Sequence, residues 1–217
     1  RRDHGLRVDG AALSNASAQL RELLPQIATE TSLEQLRDLE GASATVYFGV
    51  FDQMILGEKP LFAFSNRNRR PPLDPVNALL SFAYSLLTHD CASALESVGL
   101  DAYVGFLHRD RPGRTSLALD LMEELRPCLA DRFVLTLINN RIVSRDDFEF
   151  RENGAVYLTD SGRKACLSHW QERKKAELKH PYLGEKIPWG LVPYVQALLM
   201  ARTLRDDLEG YPPFLWK

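Results

Sequence analysis

The stretch DPVNALLSFAYSLLTHDCASALESVG, from Asp74 to Gly99, constrains the fold of this chain more than any other. Asp74 suits an N-cap and Pro75 the first helical turn, where a missing N–H costs nothing. Beyond them the spacing of Leu, Phe, Ala and Leu is apolar almost all round. A helix of that kind must lie centrally, with other elements packed around it. Gly99 ends it. The 217 residues are enough for one large domain or two small ones with a substantial core.

Helical periodicity dominates the rest of the chain, which predicts a mainly α fold. Residues 1–30 read as a linker or helical lead-in, and 31–217 as one helical domain. Thr31 to Glu34 has the form of a capping box. The helix it opens carries Leu33, Leu36, Leu39, Val46, Tyr47, Val50, Phe51 and Met54, ends near Gly57, and is expected to pack into the core. A further helix starts at Thr115 or Ser116 and runs through Leu117, Leu121 and Leu125 toward Pro127, and DRFVLTLINNRIV forms another. FEFRENGAVYL alternates instead, so a small hairpin is expected near 147–158, with Asn153-Gly154 in a type I′ turn. A helix capped by Thr159 or Asp160 follows, then a long one over roughly Trp189 to Leu208, then the aromatic tail GYPPFLWK. LFAFSNRNRRPPLDP, before the central helix, is too long and basic for a simple connector.

A formal net charge of −2 excludes a protein held to nucleic acid by its overall field, though not a local basic groove. Cys91, Cys128 and Cys166 are widely separated and lack CxxC spacing, so neither a disulfide framework nor a thiolate zinc site is expected. A reducing compartment fits. No stretch reaches the roughly 20 apolar residues of a membrane span, and the chain opens with Arg1-Arg2-Asp3 without a signal-peptide pattern. That opening suggests a processed chain or the later part of a longer one.

The chemistry concentrates in two places. Glu40 lies on the flank of an apolar stripe, where a carboxylate needs a cation or an ion-pair partner. In GFLHRDRPGRTSLALDLMEELRP, His108 precedes a helix that sets Asp120 and Glu123 about a turn apart on one face. One imidazole and two or three carboxylates make an oxygen-rich site suited to Mg²⁺ or Mn²⁺ rather than zinc. A metal there would polarise a phosphoryl oxygen, as in nucleases. The plainer alternative is that the acids form salt bridges or a solvated helix face.

Five segments add what spacing cannot: LRDLEG, DPVNALLSFAYSLL, GLDAYVGFLH, SLALDLMEELRP, and the ending HPYLGEKIPWG with YPPFLWK. In this order they closely resemble the CRISPR-associated integrase and endonuclease family of spacer acquisition, the Cas1 family, and its type I members in particular. The resemblance covers the helical catalytic part. The family's N-terminal β-rich dimerisation domain has no counterpart here.

The resemblance implies that Glu40, His108 and Glu123 are metal ligands, with Asp120 as a second acidic position and the alternative third ligand. It implies a cytoplasmic prokaryotic enzyme that inserts short DNA spacers into a repeat array by 3′-OH transesterification, or cuts DNA when water replaces that hydroxyl. The implied partners are the prespacer duplex and repeat DNA, a small Cas2 dimer, a second copy of the full-length chain, and a Cas4 nuclease, separate or fused. Arg67, Arg69 and Arg70 in the long loop and Arg109, Arg111 and Arg114 beside His108 are the candidate phosphate contacts. Trp170, Trp189 and Trp216 are expected in a core or interface rather than as base-stacking platforms. The rival reading is a non-catalytic helical scaffold that binds DNA or a partner protein.

Overall fold

The computed structural model describes residues 9–216. Its helices are α1 (Gly10–Thr29), α2 (Leu33–Gly49), α3 (Pro75–Ser97), α4 (Ser116–Leu125), α5 (Arg132–Asn139), α6 (Asp160–Lys175) and α7 (Val192–Leu204). Two antiparallel hairpins join them, β1 (Phe148–Phe150) with β2 (Val156–Leu158) and β3 (Glu177–Lys179) with β4 (Lys186–Pro188). The mainly α fold expected from the sequence is thus observed. No helix among the described residues is long and apolar enough to cross a membrane.

The chain divides into two compact units. One comprises residues up to Ala78 and Leu135–Leu158, the other Leu79–Val134 and residues from Thr159 on, so the boundaries fall within α3 and α5.

In the first unit α1 and α2 pack together. Ser32, not Thr31, caps α2: its Oγ accepts from Gln35 N–H at 3.4 Å, while the Glu30 carboxylate accepts the N–H groups of Thr31 and Ser32. The capping box is therefore displaced by a residue. None of the α2 side chains is fully buried and Leu33 is 50% exposed, which corrects the expectation of a core helix ending near Gly57. The helix stops at Gly49. A 3₁₀ turn over Phe51–Met54 takes over, and it is Phe51 and Ile55 that enter the core, against Phe64. Asn139 holds this turn, donating to Met54 O at 3.0 Å and accepting Leu56 N–H at 2.7 Å. Gly57 passes so close to Ile138 that a Cβ would sit 2.8 Å from its side chain and carbonyl.

Asp74 caps α3 as expected, accepting from Asn77 N–H at 2.8 Å. Fully buried Asn77 also organises the preceding loop: its Oδ1 accepts from Arg67 at 2.7 Å and Asn68 N–H at 3.0 Å, and its Nδ2 donates to Asn66 O at 2.8 Å. The predicted hairpin is present with a different turn. Gly154 has φ +81° but Asn153 does not share a positive φ, and Gly154 N–H bonds Arg151 O while Arg151 N–H bonds Ala155 O. That is a three-residue loop closed by a left-handed glycine bulge, so type I′ is not formed.

In the second unit α4 buries Leu117, Leu121 and Leu125, and α6 buries Cys166 and Trp170. Trp170 meets Phe133 edge-on at 5.0 Å and donates to Asp90 at 3.0 Å, so its core placement agrees with the sequence reading. Pro127 does not end the helical path. Residues Arg126–Asp131 form a π-helical turn that leads straight into α5. Proline cannot donate to the α ladder and its ring crowds the carbonyl four residues back; a wider turn accommodates both. The hairpin β3–β4 carries no strong alternating pattern and was not expected. The last helix is shorter than expected, with a 3₁₀ turn over Trp189–Leu191 before α7.

Candidate active site

The turn before α4 is built around one carboxylate. Asp120 Oδ2 accepts the N–H groups of Phe106 at 2.6 Å and Leu107 at 3.1 Å, while Oδ1 accepts His108 N–H at 2.9 Å and lies 2.7 Å from His108 Nδ1. A carboxylate has about four lone-pair positions, and all four are filled. Burial pushes the Asp120 pKa up, but the imidazole and the three backbone N–H groups outweigh it, and the net shift is downward. Asp120 is therefore ionised at neutral pH and can only accept. His108 Nδ1 must then carry the proton, which leaves Nε2 as a lone-pair donor for a cation.

Sequence and geometry agree closely on why this turn forms. Gly105 permits the approach: a Cβ there would lie 2.7 Å from Ser116 Cβ and 2.9 Å from Asp120 Oδ2. Ala102 O accepts Leu117 N–H at 3.0 Å and joins the loop to the first turn of α4. Pro112 and Gly113 form a reverse turn, with Gly113 at φ +74° and Arg114 N–H bonded to Arg111 O at 3.0 Å. Proline then glycine is the type II signature. The turn presents Arg109 and Arg111 to solvent and leaves Arg114 half-buried.

Glu123, one turn beyond Asp120, is half-buried and ion-paired with Arg126 at 2.5 Å. Arg126 lies 4.7 Å over the Tyr84 ring, and Tyr84 donates to buried Asp131 at 2.6 Å. This chain of contacts escaped the sequence reading because Tyr84 looked like part of an apolar helix and Asp131 like a helix cap. Glu124 points elsewhere, to the C-terminal tail. It accepts from Tyr211 Oη at 2.5 Å, Phe214 N–H at 2.6 Å and Gln196 Nε2 at 3.0 Å.

Glu40 belongs to the other unit, half-buried on α2. In the same unit Arg67 is committed to Asn77 and the Asn68 carbonyl, whereas Arg69 and Arg70 are exposed. Among the described residues no three His, Cys, Asp or Glu side chains stand close enough to hold a metal ion as a group. What fits a divalent cation is the donor chemistry of His108, with its far nitrogen fixed by Asp120, and the carboxylate of Glu123 once Arg126 releases it. Asp120, with every acceptor position filled, fits a positioning role better than that of a ligand.

Residues 1–172 match the family of CRISPR associated protein Cas1. The chain belongs to the Cas1 family. A relative named CRISPR-associated endonuclease Cas1 2, from Rhodospirillum rubrum, is 57% identical over all of this chain and 64% of its own length. A CRISPR-associated exonuclease Cas4/endonuclease Cas1 fusion from Geobacter sulfurreducens is 47% identical over 85% of the chain and 33% of its own. Among solved structures, a casposase bound to integration product superposes with TM-score 0.80 at 28% identity, covering 92% of this chain and 56% of that one. A partial Cas6-RT-Cas1–Cas2 complex gives TM-score 0.80 at 26% identity over 100% and 62%. The chain thus spans slightly less than two-thirds of the first of these relatives.

Proposed function

We propose that this chain is the helical catalytic part of a metal-dependent DNA endonuclease and integrase of CRISPR adaptation. The observation that carries the reading is the Asp120–His108 pair, which presents an imidazole Nε2 from a rigid turn flanked by three arginines. Membership of a family whose members are named endonucleases, and likeness to a casposase on its integration product, support it. Bound by Glu40, His108 and Glu123, Mg²⁺ or Mn²⁺ would supply Lewis-acid polarisation of the scissile phosphoryl group.

The chain's own residues do the remaining work. Asp120 holds the His108 tautomer and ring direction. Arg126 keeps Glu123 charge-compensated and exchanges away when the carboxylate turns to its ligand role. Arg109, Arg111 and Arg114 hold the strand by its phosphates, independently of sequence. A DNA 3′-hydroxyl then attacks a phosphodiester, a new P–O bond forms, and the displaced strand leaves as a 3′-hydroxyl end; water in place of that hydroxyl gives cleavage. Both reacting oxygens are alkoxide-like, so positioning and charge stabilisation outweigh side-chain base catalysis. The solved neighbour that contains Cas2 and the Cas4 fusion support a Cas2 dimer and a Cas4 nuclease as partners.

The test is strand transfer of a short duplex into a repeat-containing plasmid with Mn²⁺, comparing wild type with Glu40→Ala, His108→Ala and Glu123→Ala. Loss of at least about a hundredfold in each is expected for ligands of a catalytic metal. Full activity in the His108 variant would leave only the scaffold reading.

A further inference from the structure

Away from the His108 turn, the second unit contains a cavity of about 550 Å³ whose lining includes Arg132, Arg173, Lys179, Glu177, Trp189 and Trp216. That volume is in the range of small-ligand sites and larger than a phosphate group needs. Its walls are rigid. Trp189 is 2% exposed, meets Trp216 edge-on at 5.3 Å and Phe214 at 5.9 Å, and buried His180 packs on Phe214 at 5.4 Å while its Nδ1 accepts Leu183 N–H.

The cations are fixed as well. Arg173 lies 4.8 Å over the Trp189 ring and Arg132 5.1 Å over that of Trp216, so each guanidinium is held flat against an indole. Neighbouring basic residues are satisfied: Lys174 pairs with Asp90 and Lys175 with Glu172. Arg173 makes no ion pair among the described residues. Its pKa is lowered, first by burial and then by the charge of Arg132, which marks two like charges held together. Such a pair is costly until an anion bridges it, and flat, pre-oriented guanidiniums match the oxygens of a phosphate.

We propose that this cavity is a phosphate-binding subsite for a DNA strand, seating one nucleotide with its phosphate between Arg132 and Arg173 and Lys179 at the rim. The half-exposed Trp216 ring forms the wall beside the nucleotide's sugar and base. Exposed Glu177 on the rim opposes any second negative charge, which favours a singly charged phosphodiester over a free terminal phosphate. The proposal rests on the DNA-processing reading above but not on its metal chemistry.

The experiment is anisotropy titration of a fluorescent single-stranded 12-mer in EDTA, across a salt series, with the wild type and Arg132→Gln/Arg173→Gln. Loss of two phosphate contacts predicts about tenfold weaker binding at low salt and a log–log salt slope smaller by about 1.4. Arg132→Gln/Lys179→Gln alters only exposed side chains and serves where the first pair melts at a lower temperature; it should shift binding the same way. Unchanged affinity and slope in a variant with wild-type melting would overturn the subsite. So would inorganic phosphate that binds the wild type, and not the variant, without displacing the 12-mer, because the cavity would then take the free anion alone. A wild type that binds the 12-mer through these residues yet transfers no strand would overturn only the catalytic reading.

Discussion

Asp120 gathers three backbone N–H groups and one imidazole onto two oxygens, so its charge holds both the path of the chain and the direction of a side chain. Asp120→Asn keeps the shape but turns an amide NH₂ toward N–H donors. Strand transfer is expected to fall by roughly 10- to 100-fold, the usual effect of losing the partner of a metal-binding histidine. Mn²⁺ affinity measured by calorimetry should weaken alongside it. Unchanged metal affinity would mean that Asp120 acts on the turn alone. Gly105→Ala tests the same turn without touching charge. The added Cβ meets Ser116 and Asp120 inside contact distance, and urea unfolding should show a loss of about 1–3 kcal/mol, typical of overpacking.

At the scale of the element, α4 serves three ends of the second unit with consecutive acids: Asp120 toward the preceding turn, Glu123 toward Arg126, and Glu124 toward the tail. Burial raises the pKa of Glu124, and hydrogen bonds from Tyr211, Phe214 and Gln196 oppose that rise without cancelling it. A double-mutant cycle of Tyr211→Phe and Glu124→Gln, followed by urea unfolding, is expected to give a coupling of about 1–3 kcal/mol, as for a hydrogen bond to a charged group. Strict additivity would deny that the two act together. Much of α4 was legible in the sequence: the cap region, the leucine stripe, and the special status of His108, Asp120 and Glu123 all followed from local pattern and motif. The division of labour was not. Which acid meets a backbone cradle, which an arginine and which a tyrosine from 87 residues away depends on contacts between distant segments that no local period encodes. The same reason hid the π turn, the Asn77 hub and the indole–guanidinium pairs.

Across the whole molecule, chemistry is confined to a few surfaces, and the sulfur atoms show it. Cys91 and Cys166 are fully buried, and burial pushes the pKa of Cys91 well up and that of Cys128 to about 12. A raised pKa means that thiolate is scarce below that value, so native protein at pH 8 should resist iodoacetamide for hours at these positions and label within minutes in urea, as read by mass spectrometry. Rapid native labelling of Cys128 would contradict its packing. The π turn at Arg126–Asp131 has a consequence of another kind. It holds one more residue per turn than an α-helix does, so it behaves as an insertion absorbed without a bulge into solvent. Deleting any single residue there would restore the α-helical count and swing Phe133 about 100° around the axis, away from Trp170. Length in that segment is thus under tighter constraint than identity, and substitutions should be tolerated where deletions are not.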